Sequence, residues 1–190
     1  MSVISVIDFC GFTKLDEEDV NASLLERVIA AAQRRCESYC RGREFEVADH
    51  DEYHDIPNAT TDHVYVLHPP LNSLTTLSDD AQADTPTTIT SADYITDAET
   101  GRIRLYNSTA YFTSGPQAVR VQYSGGWADE DLPADLWFAC IYQAAAYWNN
   151  LDNAGLESES GDAGSVVWDT GEVCAPARNL LRPYVLWRFE

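Results

Sequence analysis

The sequence predicts an α+β protein, with a helical body formed by both ends of the chain and a small antiparallel β module inserted in it. Apolar residues recur at three- and four-residue steps over residues 21–41 and again after Pro133, as in amphipathic helices. Between these regions the pattern alternates and turn residues are frequent, as in short strands. The predicted parts are an N-terminal arm (1–20), the helical body with its C-terminal tail (21–43 and 128–190) and the inserted β module (44–127).

The N-terminal block combines an apolar start with the acidic run Asp16-Glu17-Glu18-Asp19, and we interpret residues 1–20 as an extended arm leading to a helix. In the helix that follows, Ser23 and Glu26 fit a capping box. Gly42 suits the left-handed residue that ends many helices. The polar face and the end of this helix carry arginines: Arg27, Arg34, Arg35, Arg41 and Arg43.

The middle block predicts short strands separated by turns. Its clearest unit is a hairpin, in which residues 94–97 and 102–106 pair around a turn that contains Gly101. The other strands are predicted near residues 45–47, 63–67, 71–77, 85–90 and 118–123.

The last block returns to helix. Pro133 fits a first helical turn, and Trp137, Tyr142 and Trp148 are too large and too numerous for one helix face. Residues 155–173 are rich in Gly, Ser and acids and predict a loop. A short helix follows from Pro176 to Pro183, and the chain then ends in an aromatic tail that a lone monomer would struggle to bury: Tyr184, Leu186, Trp187 and Phe189.

Charge is the strongest compositional signal. The chain has 31 acidic and 12 basic residues, a formal net charge of -19, which argues against a surface that grips nucleic acid. The acidity fits either a soluble, self-repelling surface or adaptation to high salt. No run of about 18 apolar residues occurs, so no membrane association is expected. The five cysteines are irregularly spaced, which favours reduced thiols over a disulfide framework.

One cluster could carry metal chemistry: His50, Asp51, Glu52, His54 and Asp55. Two histidines four residues apart can bind zinc on a helix, but the order is not that of the H-E-x-x-H metalloproteases, and the segment reads as strand or loop. We interpret it as a solvated polar loop. Cys36 and Cys40 share a helix face, but without a second Cys/His pair they are predicted to be buried core thiols. No metal and no cofactor is therefore expected.

An aromatic set on the β module could stack on a sugar or a base: Tyr106, Tyr111, Phe112, Tyr123 and Trp127. Stacking on nucleic acid normally comes with basic residues, and only Arg102, Arg104 and Arg120 are near in sequence. Packing in the core or between subunits is the preferred interpretation. No nucleophile, base and orienting group can be assembled from the four histidines, so no enzymatic activity and no catalytic residue is predicted.

Several segments together resemble the head-tail connector proteins (head completion adaptors) of long-tailed double-stranded DNA phages. Each motif is short, but their order along residues 22–188 is that of the family. The departures are the extreme acidity and the long acidic segment 155–173. The matching segments are Cys36-Glu37-Ser38-Tyr39-Cys40-Arg41-Gly42-Arg43-Glu44-Phe45, Leu67-His68-Pro69-Pro70-Leu71, the hairpin at 94–105, residues 119–133 with Gly125-Gly126-Trp127, and Leu180-Leu181-Arg182-Pro183-Tyr184 with Trp187.

The resemblance implies structural work in a virion neck, assembled in the host cytoplasm. Such adaptors form a ring, usually a dodecamer, beneath the portal protein. The ring extends the DNA channel, which DNA passes through without sequence-specific binding, and docks the head-tail stopper or tail proteins. On this basis we expect the portal or a neighbouring subunit to contact Arg27, Arg34, Arg35, Leu180, Leu181, Tyr184, Trp187 and Phe189. A small β-containing binding module for a carbohydrate or a metal is the alternative.

Overall fold

A computed structural model describes residues 2–106, 111–151, 158–161, 164–167 and 173–185, with the backbone alone for the two four-residue segments. The predicted α+β class is confirmed, since the described residues form helices and antiparallel sheets. The chain divides into two compact units: a helical unit (residues 1–42 and 131–190) and a β unit (residues 43–130).

The N-terminal residues do not form the extended arm that the sequence suggested. Helix α1 spans Val6–Thr13, and its capping box joins Ser5 to Asp8: the Asp8 amide donates to the Ser5 hydroxyl (3.1 Å) and the Ser5 amide to the Asp8 carboxylate (3.0 Å). Phe9 is fully buried, with its ring edge-to-face to that of Trp148 at 6.0 Å between centroids. Burial of this aromatic face stabilises a helix that is too short to persist alone.

Helix α2 spans Ala22–Tyr39, and its caps differ in detail from the prediction. The side chain of Asn21 caps the helix by accepting from the Leu24 amide (3.1 Å), so the predicted Ser23 capping box is wrong. At the other end the Gly42 amide donates to the Glu37 carbonyl (2.9 Å). This is a Schellman motif, in which Arg41 (φ 64°) takes the first left-handed position and Gly42 (φ 82°) the next.

The remaining helices follow the prediction closely. Helix α3 spans Ala134–Asn149, and helix α4 spans Ala175–Leu181 and continues as a 3-10 turn, Arg182–Tyr184. Helix α3 packs against α2, α4 and α1. The predicted loop at 155–173 is wrong in part, because strands β8 (Ser158–Gly161) and β9 (Gly164–Val167) pair there as a hairpin.

The β unit contains two antiparallel sheets. One has the strand order β1-β7-β3-β4 and the other β2-β6-β5. Residues from both sheets, including Val64, Leu77, Ile103 and Val121, share one hydrophobic core. The strands are β1 (Ala48–Ile56), β2 (His63–Tyr65), β3 (Leu71–Asp79), β4 (Thr87–Thr88), β5 (Tyr94–Asp97), β6 (Arg102–Leu105) and β7 (Gly115–Gly125).

Two turns in the β unit depend on glycine. The predicted hairpin is confirmed as β5 and β6, with Gly101 at φ 68° between them. Gly126 follows β7 at φ 103°, and a Cβ atom there would overlap the Glu46 backbone. Its amide donates to the Pro70 carbonyl (3.0 Å), which fixes the exit of β7 against the start of β3.

The sequence predicted neither a membrane-spanning segment nor a disulfide framework, and the described residues bear on both. No helix in those ranges is both long and apolar enough to cross a bilayer. All five cysteines fall within the described ranges and are free thiols; Cys10, Cys36, Cys40 and Cys140 are buried and Cys174 is half-buried.

Candidate functional site

The arginines predicted to contact a partner lie on α2. Arg27 and Arg34 are exposed, and Arg35 is half-buried. None of the three side chains makes a hydrogen bond or an ion pair with any residue in the described ranges. In the β unit, by contrast, Arg120 binds both carboxylate oxygens of Asp51 at 2.9 and 2.6 Å. Among the described residues, the α2 arginines thus have no carboxylate partner, in a chain with a large acidic excess.

The predicted C-terminal contact residues are placed differently from one another. Leu180 and Tyr184 are half-buried. Leu181 is fully buried, so its assignment to a partner surface is corrected: it packs in the core of the helical unit, because it ends α4 on the inward side that also carries the buried Ala177. Trp187 and Phe189 lie outside the described residues.

Helix α3 carries an exposed aromatic surface that the sequence analysis recognised only in part. Phe138 is 41% exposed and Tyr142 is 37% exposed. Their ring centroids lie 6.3 Å apart, and Phe12 of α1 meets Tyr142 edge-to-face at 5.5 Å. Tyr142 was anticipated as an excess aromatic, whereas Phe138 was missed. The signal that could have found it is the near absence of charge on α3, in which Asp135 is the one Asp, Glu, Lys or Arg residue.

The acid/His cluster is not the solvated loop that the sequence suggested. Its residues lie on strand β1, and the period of two turns His50, Glu52 and His54 to the same side. Glu52 is buried, and it accepts hydrogen bonds from the Tyr123 hydroxyl and from the Leu67 amide (3.1 Å). The loop interpretation failed because these partners, Tyr123 on β7 and Leu67 just after β2, are distant in sequence and make burial of a carboxylate possible.

Electrostatics hold Glu52 in its ionised form. Burial raises the pKa of Glu52, but the neighbouring His54 ring and the Tyr123 hydroxyl outweigh burial and hold the pKa below its usual value. Burial also lowers the pKa of His68, and nearby His50 lowers it further. The pKa of Tyr123 is raised by burial and by its bond to Glu52. At neutral pH the cluster therefore combines a carboxylate, a neutral His68 and a neutral phenol.

A metal ion could be considered at Glu44, His50 and His68, whose ligand atoms lie within 4.8 Å of one another. The rings of His50 and His68 are stacked, with centroids 4.0 Å apart and planes 5° from parallel. A bound ion lies in the plane of each imidazole at about 2.0–2.1 Å from the nitrogen, and two stacked rings share no such position. His68 Nδ1 also already accepts from the Glu44 amide (2.9 Å). The residues present do not fit a metal in this arrangement.

Among the residues that the structure describes, no nucleophilic side chain is activated by a histidine. Over the described ranges, no histidine ring is hydrogen-bonded to a serine, threonine or cysteine side chain. A hydrogen bond with Cys36 and burial raise the pKa of the Cys140 thiol. Cys36 itself lies 3.9 Å from the Ala139 carbonyl, to which it donates. Such buried thiols behave as core residues.

The aromatic set on the β unit does not form a stacking platform. Phe112 and Tyr123 are each 1% exposed, so their faces are not available to a ligand. Tyr106 and Tyr111 are exposed, and the Arg43 guanidinium lies over the Trp127 ring at 4.3 Å from its centroid. The prediction that this set serves packing is confirmed for Phe112 and Tyr123. These two buried rings cannot contact a carbohydrate.

Three solved structures resemble this chain in fold. A chain in the neck of an empty gene transfer agent (GTA) particle, computed with C6 symmetry, has a TM-score of 0.68 at 14% identity, covering 99% of this chain and 92% of that one. A chain in the neck of the native particle, computed with C12 symmetry, has a TM-score of 0.63 at 17% identity, with coverages of 97% and 90%. A chain in the virion of the native particle has a TM-score of 0.60 at 18% identity, with coverages of 93% and 84%.

Comparisons of the sequence alone gave nothing further: no protein-family model matches it, and no curated protein matches significantly. The likeness therefore rests on structure. Over nearly its whole length, this chain has the fold of chains found in the necks and virions of gene transfer agent particles.

Proposed function

We propose that this protein is a structural component of a virion neck, a head-to-tail adaptor that forms a ring beneath the portal protein. The single observation that carries the proposal is the match to neck structures over 97–99% of the chain at TM-scores of 0.63 and 0.68. The order of sequence motifs points to the same class independently. On this proposal the protein acts in the assembled particle and has no catalytic role.

A ring with many copies is supported by the symmetry of the neighbours, whose necks were computed with sixfold and twelvefold symmetry. We propose a dodecamer, in which each copy contributes one segment of the DNA channel. The net charge of -19 per copy suits such a channel, because excess carboxylate repels phosphate and lets DNA pass without sticking.

The partners we propose are the portal protein on one side and the stopper or tail proteins on the other. The half-buried Leu180 and Tyr184, with the aromatic residues beyond them, are the proposed docking tail. Burial of these apolar and aromatic side chains against a partner would stabilise the complex.

The test is assembly of the purified full-length chain. We expect rings in negative-stain images and a mass of about twelve subunits by mass photometry or light scattering at high protein concentration. We also expect co-elution with the portal protein of the same particle. A chain that stays monomeric at every concentration and does not bind the portal would contradict the adaptor function.

A further inference from the structure

We propose that neighbouring copies in the ring meet head to tail through two surfaces of the helical unit. One surface is the α3 row, defined as Asp135, Phe138 and Tyr142. The other is the α2 arginine pair, defined as Arg27 and Arg34. The arginine pair of each copy contacts the α3 row of its neighbour. This inference rests on the proposed ring function and adds the contact that builds the ring.

The α3 row is a continuous strip on the outer side of its helix. Its members are spaced by three and four residues, which places them on one face. That face is opposite the buried residues Leu136, Cys140 and Ala144. A helix that is apolar on both sides is normally covered on both sides. Within the described residues, Phe12 meets Tyr142 edge-to-face and Trp137 meets Phe138 edge-to-face, yet Phe138 and Tyr142 both remain exposed.

The α2 arginine pair faces the other way. Arg27 and Arg34 are seven residues apart and so lie on one face of α2, two turns from each other. The opposite face of α2, which includes Leu25, Ala32 and Cys36, is buried and packs toward α3. The two surfaces therefore lie on opposite outer sides of the packed α2 and α3 helices.

This arrangement is what a closed ring requires. A ring uses a heterologous contact, in which one face of each copy meets a different face of the next. Two surfaces on opposite sides of the same helical unit can repeat in that way. A two-fold dimer would instead need a single surface that complements itself, and the two cations of the α2 arginine pair repel a second copy of that pair.

The chemistry of the two surfaces is complementary. The Asp135 carboxylate is exposed, and it makes no hydrogen bond or ion pair with a described residue. An arginine from the next copy can pair with it while its planar guanidinium stacks on Phe138 or Tyr142. In a chain with 31 acids and 12 bases, placing cations at the contact also offsets repulsion between copies.

Ring formation by variants of the full chain tests the contact. Phe138→Ser with Tyr142→Ser, and separately Arg27→Glu with Arg34→Glu, should each raise the protein concentration needed for half-assembly by at least about tenfold. The matched control is Tyr106→Ser, which removes a side chain that is 71% exposed in the β unit and should not alter assembly. All these side chains are at the surface, so circular dichroism should show an unchanged fold.

A charge exchange makes the test specific to pairing. Asp135→Arg should weaken assembly alone and should restore it when combined with Arg27→Glu. If the wild-type chain forms rings and the serine and glutamate variants form them equally well, this contact is wrong and the ring function stands. If the wild-type chain forms no ring at any concentration, both proposals are overturned.

Discussion

Replacing Tyr123 by phenylalanine should strongly destabilise the β unit. The Tyr123 hydroxyl donates to the buried Glu52 carboxylate and accepts from the His68 amide (3.0 Å). The substitution removes only one oxygen atom, so the apolar packing of the ring stays in place. The change therefore isolates the contribution of the buried polar network.

The magnitude follows from the two bonds that are lost. A hydrogen bond to a charged group contributes about 1.5–3 kcal/mol, and an unpaired buried amide costs about 1–3 kcal/mol. We therefore expect a loss of roughly 3–5 kcal/mol in the free energy of unfolding. For a unit of this size, each kcal/mol lowers the transition temperature by about 4–8 °C. The transition of the β unit should then fall by at least roughly 10 °C.

Differential scanning calorimetry and urea unfolding measure this loss. Tyr53→Phe is the matched control, since Tyr53 lies on the same strand β1, is exposed, and its hydroxyl makes no hydrogen bond with a described residue. The control should change the free energy of unfolding by less than about 0.5 kcal/mol. Equal effects of the two substitutions would refute the view that Glu52 and Tyr123 form a stabilising network.

Three further predictions concern the same two units. Acid should destabilise the β unit. The pKa of His68, which faces His50, Glu52, Glu44 and Arg43, is lowered in the folded state, so stability should fall as the pH drops below about 6.5. The pKa of Glu52 is also lowered, so a further loss should follow below about 4.5, and calorimetry across pH measures both. Gly126→Ala should lower the free energy of unfolding, measured in urea, by about 1–3 kcal/mol or more. Gly11→Ala in α1, where a Cβ meets open space, should not lower it. Leu181→Ala should lower the free energy of unfolding by about 2–5 kcal/mol, and Leu180→Ala clearly less, because Leu180 is half-buried. Equal losses would contradict the placement of Leu181 in the core.

The elements that local chemistry specifies were predictable from the sequence. The β5–β6 hairpin has alternating residues around Gly101, and α2 has a regular apolar stripe, so each was found within a few residues. Helix α1 was missed because its stabilisation comes from the docking of Phe9 on Trp148, a contact between residues far apart in sequence. The cap of α2 was misplaced because Asn21 and Ser23 are both good caps, and only tertiary packing selects between them.

Strand β1 shows why the candidate site was harder to predict than the fold. Its inward side carries His50, Glu52 and His54, which are polar. The alternation of apolar and polar residues that indicates a strand is therefore missing here. The groups that make this acceptable, Tyr123 and the Leu67 amide, are brought together only by the sheet. A buried carboxylate with distant partners leaves no pattern in a single sequence.

The two units differ in how their exposed arginines are paired, and this difference bears on how the protein would assemble. In the β unit, Arg120 is paired with Asp51 and Arg104 with Asp62, and both sheets share one core. In the helical unit, the α2 arginine pair has no partner among the described residues and the α3 row is exposed. An exposed arginine is hydrated at little cost on a monomer, and it gains a partner when an interface places it against a carboxylate and an aromatic ring. The helical unit is therefore where we expect the contacts between copies.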